Sequence, residues 1–190
     1  MNLDDNIMLK VQIFTIGPLQ TNCYLACDDE TKETILIDPA VFDKKIVDCI
    51  KGHNLNVKFT VNTHGHFDHV GANKEFGYPV LIHGKDQGSL KAHRLLKDQD
   101  RVEIKNIVFK IIHTPGHTPG SISIECDNVL FTGDTLFFGG VGRTDIPFAS
   151  QSDLEKSIKR LMQYSDNTKI YPGHGPESTI GHEREYNPYA

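Results

Sequence analysis

Three histidines and an aspartate fall within six consecutive positions of the stretch Thr63-His64-Gly65-His66-Phe67-Asp68-His69. Imidazole nitrogens and carboxylate oxygens are the donors that zinc and similar divalent ions take. A crowd of potential cations serves no packing purpose, so the spacing points to a metal centre rather than to a polar loop. In an extended chain alternate side chains share a side, which would put His64, His66 and Asp68 together. His69 then needs a change of direction, and a helix beginning at Val70-Gly71-Ala72-Asn73 is expected to supply it.

Further donors follow at long intervals. His117 lies in His113-Thr114-Pro115-Gly116-His117-Thr118-Pro119-Gly120, a tandem too rich in proline to be helical. Asp134 follows Gly133, and His174 sits in Pro172-Gly173-His174-Gly175. Singly these are weak signals. Together with the first stretch they make seven donors, five His and two Asp, too many for one tetrahedral ion. Two divalent ions sharing a bridging carboxylate, each with a position open to water, would use them all.

These donors need rigid elements to carry them. Apolar alternation predicts strands over residues 9–16, 21–27, 33–37 and 57–61, the last running straight into the histidine stretch. Ile35-Leu36-Ile37 is continuous and predicts a strand buried on both faces. It ends at Asp38, which reads equally well as a partner behind the donors or as a turn residue. Residues 43–51 predict a helix with Ile46, Val47 and Ile50 on one face, and a polar helix is expected over 85–97. Strands are expected at 79–82, 107–112, 121–126, 129–131 and 168–171, with a turn at Asp127-Asn128. Ser152-x-x-Glu155 reads as a capping box opening a helix with Leu154, Ile158, Leu161 and Met162 buried. The tail, 176–190, reads as polar and irregular. Each donor group thus falls at the end of a strand, beside Gly or Pro, where a backbone can turn sharply towards an ion.

Composition narrows the function. The 190 residues fit one α/β domain spanning 1–190. A net charge of -5 with scattered Lys and Arg argues against a nucleic-acid partner, which needs a concentrated basic surface. The four cysteines form no C-x-x-C pair and read as buried thiols of a reducing compartment. Met1 to Lys10 has no apolar run of signal-peptide length, and no stretch is long enough to span a membrane, so a cytoplasmic protein is expected. His53, His93 and His182 read as surface or capping residues, and His83 and His113 as partners near the site.

The order H-x-H-x-D-H, a distant His after T-P-G, then G-D, then P-G-H, resembles the metallo-β-lactamase superfamily, and within it the short glyoxalase II-like hydrolases. The resemblance runs from Thr21-Asn22-Cys23-Tyr24 to Gly173-His174-Gly175-Pro176. It implies an αββα sandwich with the metals at one edge. It also implies that His64, His66 and His117 hold one metal, that Asp68, His69 and His174 hold the other, and that Asp134 bridges. An acid at 134 differs from the lactamases that use Cys there. Glyoxalase II proper also has a helical domain for glutathione, which nothing in this chain matches. Gly142-Arg143-Thr144-Asp145 resembles both the short hydrolases and the mononuclear iron persulfide dioxygenases. Arg143 would bind a substrate carboxylate or pin its loop.

The expected reaction is hydrolysis of S-lactoylglutathione or a related small thioester by hydroxide held between two divalent ions, with Asp68 orienting the nucleophile. Zinc is the first expectation and iron or manganese the alternatives. Two dications, two Asp and one hydroxide leave net positive charge, which suits an anionic substrate. The alternatives are the dioxygenase, a phosphodiesterase (disfavoured by the missing basic patch) and a non-catalytic metal module, disfavoured by seven donors.

Overall fold

The computed structural model describes residues 9–190, so the reading of the extreme N-terminus lies outside the described residues. Two six-stranded sheets face each other. The first has the order β1 (Leu9–Ile16), β2 (Thr21–Asp28), β3 (Glu33–Ile37), β4 (Asn56–Val61), β5 (Val80–His83), β6 (Arg94–Leu96). It starts antiparallel and becomes parallel from β3 onward. The second runs β14 (Ser178–Thr179), β13 (Lys169–Pro172), β10 (Val129–Gly133), β9 (Ile122–Cys126), β8 (Ile107–His113), β7 (Arg101–Ile104). Only its β10–β13 pair is parallel.

Period-2 alternation decides which side chains meet between the sheets. Tyr24, Ala26, Ile35 and Ile37 of the first sheet point inward with Phe109, Ile111, Ile122 and Phe131 of the second. Their alternates Cys23, Leu25 and Leu36 point outward, beneath Ile46 of α1 (Lys44–Gly52). On the far face Leu130 and Ile170 are covered by Leu161 of α4 (Gln151–Leu161) and Ile180 of α5 (Ile180–Tyr186). The layers are therefore α, β, β, α, and Ile35-Leu36-Ile37 is fully buried, as expected of a strand covered on both sides.

Several expectations fail for identifiable reasons. Residues 85–97 are not helical: one 3-10 turn at Gly84–Asp86 gives way to a loop and to β6, which pairs with β5. Gly88, at φ 50°, breaks the stretch, and ladder bonding outweighs its polar composition. Ser150, not Ser152, caps α4, accepting from the Asp153 N–H (3.3 Å), so the capping box reads two residues late. His93 lies in the loop, where it accepts from the Val80 N–H. The tail is ordered rather than irregular. Its α5 buries Glu183, which accepts from Ser178, from the Gly139 N–H (2.8 Å) and from Asn187 (2.8 Å). Those bonds tie the tail to a small ribbon, β11 (Leu136–Phe137) with β12 (Gly140–Val141), that follows Asp134.

Candidate metal centre

The donors arrive from the same edge of both sheets. β4 ends at Val61 and leads through Asn62 and Thr63 to His64. The chain then turns earlier than expected. His66 is already the N-cap of α2 (Phe67–Val70), so Asp68 and His69 stand on a helical turn rather than alternating with His64 and His66. A second short helix, α3 (Asn73–Phe76), follows. His117 comes from the loop between β8 and β9, Asp134 from the end of β10, and His174 from the end of β13.

The turn at His66 sorts the donors into groups. The ligand atoms of His64, His66 and His117 lie within 4.8 Å of one another, as do those of Asp68, His69 and His174, and those of His64, His69 and Asp134. His66 Nδ1 is 3.1 Å from His64 Nε2 and 2.9 Å from His117 Nε2. His69 Nε2 and His174 Nε2 are 3.3 Å apart, and Asp68 Oδ2 is 3.4 Å from the latter. Asp134 reaches both sides: Oδ1 is 3.4 Å from His69 Nε2, and Oδ2 is 3.5 Å from His117 Nε2 and 3.6 Å from His174 Nε2. All seven residues expected as donors are thus brought together.

The far ring nitrogens are anchored, which fixes the orientation of the inward ones. His117 Nδ1–H donates to the Arg143 carbonyl (2.9 Å), and His174 Nδ1–H to the Leu19 carbonyl (3.1 Å). His69 Nδ1–H donates to Asp38 Oδ2 (2.9 Å). His64 Nδ1–H donates to Thr63 Oγ1 (3.1 Å), whose hydroxyl donates in turn to Asp38 Oδ2 (2.6 Å). A carbonyl or carboxylate can only accept, so each of these rings keeps a proton on Nδ1, and Nε2 is the nitrogen turned towards the centre. Asp38, open between two roles in the sequence, is thereby the shared support of His64 and His69. It is buried at φ 50°, a strained backbone for a residue with a side chain, and also accepts from the Thr63 N–H (2.8 Å).

Asp86 was missed by sequence reasoning. Its carboxylate accepts from the Gly65 N–H (3.1 Å), the Thr118 hydroxyl (2.5 Å) and the Gly120 N–H (2.7 Å). It therefore ties the loop of His64 and His66 to the loop of His117. A Cβ at Gly120 would lie 2.5 Å from Asp86 Oδ1, so the tie requires glycine there. The only sequence signal is its position just past β5, level with the other donors. Asn22 was also unassigned. Its side chain donates to the Pro172 (3.1 Å) and Gly175 (2.8 Å) carbonyls, which holds the His174 turn. The His83 and His113 rings stack at 4.3 Å behind the His117 loop, and His113 donates to the Pro119 carbonyl (3.0 Å).

Electrostatics divide the donors. Burial, then the neighbouring imidazoles, pushes His64 well below the usual histidine range, and burial lowers His66. Burial also works against a charged His69, but Asp38, Asp134 and Asp68 outweigh it and raise its pKa to about 9. The hydrogen bond to Asp68 raises His174. For Asp68, burial acts upward, yet His174 and His69 bring it below the ordinary carboxylate range. Asp134 Oδ1 is buried and has no hydrogen-bond partner. A buried carboxylate oxygen left without a proton donor costs free energy unless something else compensates it. That orphan, with five imidazole rings converging beside it, fits divalent ions.

A cavity of about 770 Å³ opens over the donors, lined by His66, Asp68, His117, Asp134 and His174. Its remaining walls are mostly apolar: Leu19, Phe67, Phe137, Val141, Ile146 and Phe148 among them. Arg143 lines it too, but its guanidinium is held bidentately by Asp145 (Nε to Oδ1 and Nη2 to Oδ2, both 2.7 Å) in solvent. Of its two expected roles, the loop-pinning one matches this geometry, with the carbonyl on His117 as an unforeseen third.

Residues 16–79 and 86–174 match the family model described as the metallo-beta-lactamase superfamily. The hydroxyacylglutathione hydrolase GloC of Haemophilus influenzae is 36% identical over 210 residues, covering 95% of this chain and 98% of that protein. Among solved structures, ETHE1 from Myxococcus xanthus superposes with a TM-score of 0.86 at 31% identity, over 94% of this chain and 83% of that one. TTHA1623 in a di-iron-bound form superposes at 0.85 and 32% identity, over 94% and 100% of the two chains.

Proposed function

Because the chain belongs to the metallo-β-lactamase superfamily, whose fold binds divalent metals, we propose that it is a thioester hydrolase of the glyoxalase II type working with two divalent ions. His64, His66 and His117 hold one ion, Asp68, His69 and His174 the other, and Asp134 lies between. The observation that carries this is Asp134, whose two carboxylate oxygens face different donor groups within 3.4–3.6 Å while one of them lacks any hydrogen bond. Zinc is the first expectation for the metal; the similarity to a di-iron protein and the two carboxylates among the donors keep iron and manganese as the alternatives.

When bound, the ions lower the pKa of water and polarise the substrate carbonyl. The chain's own residues do the rest. Asp68, ionised and lining the cavity, orients the attacking water and accepts its proton on a carboxylate oxygen. Asp38 and the Arg143 and Leu19 carbonyls hold the imidazoles so that none swings away during turnover. The apolar walls displace water from around the carbonyl, which strengthens every charge interaction there. A thiolate leaves readily, so no strong general acid is needed. The similarity to GloC supports a hydroxyacyl thioester of glutathione as the first substrate to try.

Elemental analysis of protein purified without chelator should approach two equivalents of zinc, iron or manganese, and S-lactoylglutathione should be hydrolysed. Chelation should abolish the activity and added zinc or manganese restore it. One tightly held iron with oxygen consumption on a persulfide, and no thioester hydrolysis, would establish the second reading, a dioxygenase. The similarity to ETHE1 is what favours that reading.

A further inference from the structure

Phe148 is held in a conformation that costs free energy and buries nothing. Its φ of 66° lies in the left-handed region, where a bulky aromatic is rare. Its side chain is 86% exposed, so packing within the fold does not compensate. The surrounding turn is nonetheless well tied. The Ala149 N–H donates to the Ile146 carbonyl (3.2 Å), and the Ser150 N–H to the Gly116 carbonyl (2.8 Å), one residue from His117. Strain held in place beside a reaction centre is a reason to look for a function.

The position of the ring supplies one. Phe148, with His66 and Pro147, lines both the cavity over the donors and a neighbouring one of about 530 Å³. The two differ in chemistry. The first presents Leu19, Phe67, Ile146 and Phe137, and its one Lys or Arg, Arg143, is paired with Asp145. The second presents Lys85, Asp86 and Thr118. Phe67, which also lines the first cavity, is 73% exposed. Two aromatic rings left in water at the mouth of a reaction cavity gain from an apolar group that covers them.

We propose that Phe148 sets the acyl specificity of the site, receiving with Phe67 and Leu19 the apolar acyl chain of a thioester several carbons long. The thiol carrier then passes Phe148 and Pro147, which line both cavities, into the polar one beside Lys85. This rests on the thioesterase reading. In the reaction, the oxygen of water bonds to the carbonyl carbon, the carbon–sulfur bond breaks with its electron pair on sulfur, and the products are a carboxylate, a thiol and a proton. Phe148 takes no part in those steps; it covers the chain and so positions the carbonyl.

The test uses the metal-loaded protein with acetyl, butyryl, hexanoyl and octanoyl thioesters of glutathione. In the wild type kcat/KM is expected to rise with length, by up to about fourfold per methylene. In Phe148→Gly that rise should flatten, with the octanoyl thioester losing at least about tenfold more than the acetyl one. Glycine relieves the left-handed strain, so Tm should hold or rise, which separates this loss from misfolding. Phe148→Leu should retain part of the length dependence. S-octylglutathione, a thioether that cannot be hydrolysed, should bind about tenfold more weakly to Phe148→Gly in calorimetry. A flat length profile in the wild type, an identical profile in Phe148→Gly, or equal S-octylglutathione affinities would each overturn the proposal. So would a dimer that Phe148→Gly dissociates with the profile intact, which would assign the ring to a contact between copies. If no thioester were cleaved but the S-octylglutathione difference remained, the thioesterase reading would fall and the apolar subsite would stand.

Discussion

His64, His66 and His117 form a group of imidazoles alone, whereas Asp68, His69 and His174 mix imidazole with carboxylate and have Asp38 behind them. The first group is supported by the Arg143 carbonyl, by Thr63 and only through it by Asp38, and by the Asp86 tie between its two loops. The second rests on a buried, charged hydrogen bond. The consequence is a difference in protonation. His64 and His66 are pushed towards the neutral form, ready to offer lone pairs, while His69 and His174 are pushed towards the charged form by the carboxylates around them. An ion bound by His69 must therefore displace a proton, and His64 and His66 have none to lose at the nitrogens they offer. Asp134 lies close to imidazoles of both groups, so it couples two sites of unlike chemistry.

Asp134→Ala should empty both groups. Thioester hydrolysis should fall by more than about a hundredfold, beyond the usual cost of losing an outer partner, and elemental analysis should show loss from both sites. His182→Ala is the control: that ring stacks on Phe138 (4.7 Å) and has no contact with the donors, so metal content should hold. Asp38→Ala should strike the second group hardest. It removes the partner of His69 and leaves the Thr63 donors buried without an acceptor, a destabilisation of about 3 kcal/mol read by urea unfolding. Retention of both ions with wild-type stability would remove Asp38 from the account.

Asp86→Ala should weaken the first group selectively, by about 10–100-fold in metal affinity. Competition against a chromophoric chelator, with cobalt absorption reporting the ligand field, would show whether the all-imidazole site is the one affected. Equal weakening of both sites would mean that Asp86 supports the edge as a whole. The pH dependence sharpens the same contrast. His69 has its folded pKa raised from about 6.5 to about 9. Its contribution to the stability of the metal-free protein is thus complete below about pH 6.5 and lost as pH rises through about 9. Ion uptake involving His69 should accordingly strengthen with pH up to about 9, whereas His64 and His66, pushed down by burial, contribute no such rise. The smallest effect is expected from Arg143→Ala. Its side chain is occupied by Asp145 in solvent and the carbonyl that orients His117 remains, so kcat/KM should change by no more than about fivefold. A larger loss confined to KM would return Arg143 to substrate binding.

The donors were legible because metal chemistry restricts residue type so tightly: seven His and Asp side chains beside Gly and Pro at strand ends serve little purpose except to hold ions. The strands were legible where apolar residues alternate along the sequence, as in β1 and β4, or run on without a break, as in the doubly covered β3. What alternation could not reveal was where regular structure stops. Treating His64, His66 and Asp68 as one extended run failed because the chain turns at His66, and that turn is what divides the donors into two groups. Residues 85–97 and 176–190 were misread for a related reason. Short polar segments take their conformation from partners far along the chain, β5 for β6 and the Gly139 ribbon for α5.

By itself, the sequence determined the donors, their order and the strand ends that deliver them, because ligand type and hydrophobic period are local properties. The tertiary structure decided which donors stand together, that Asp38 and Asp86 hold them, that Arg143 is already paired, and that Phe148 faces the cavity in a strained turn. Each of those depends on a contact between loops distant in the chain, such as Asp86 with Gly120 or Leu19 with His174. No local pattern encodes such a contact, since it arises only when the packing of two sheets brings their edges to one place.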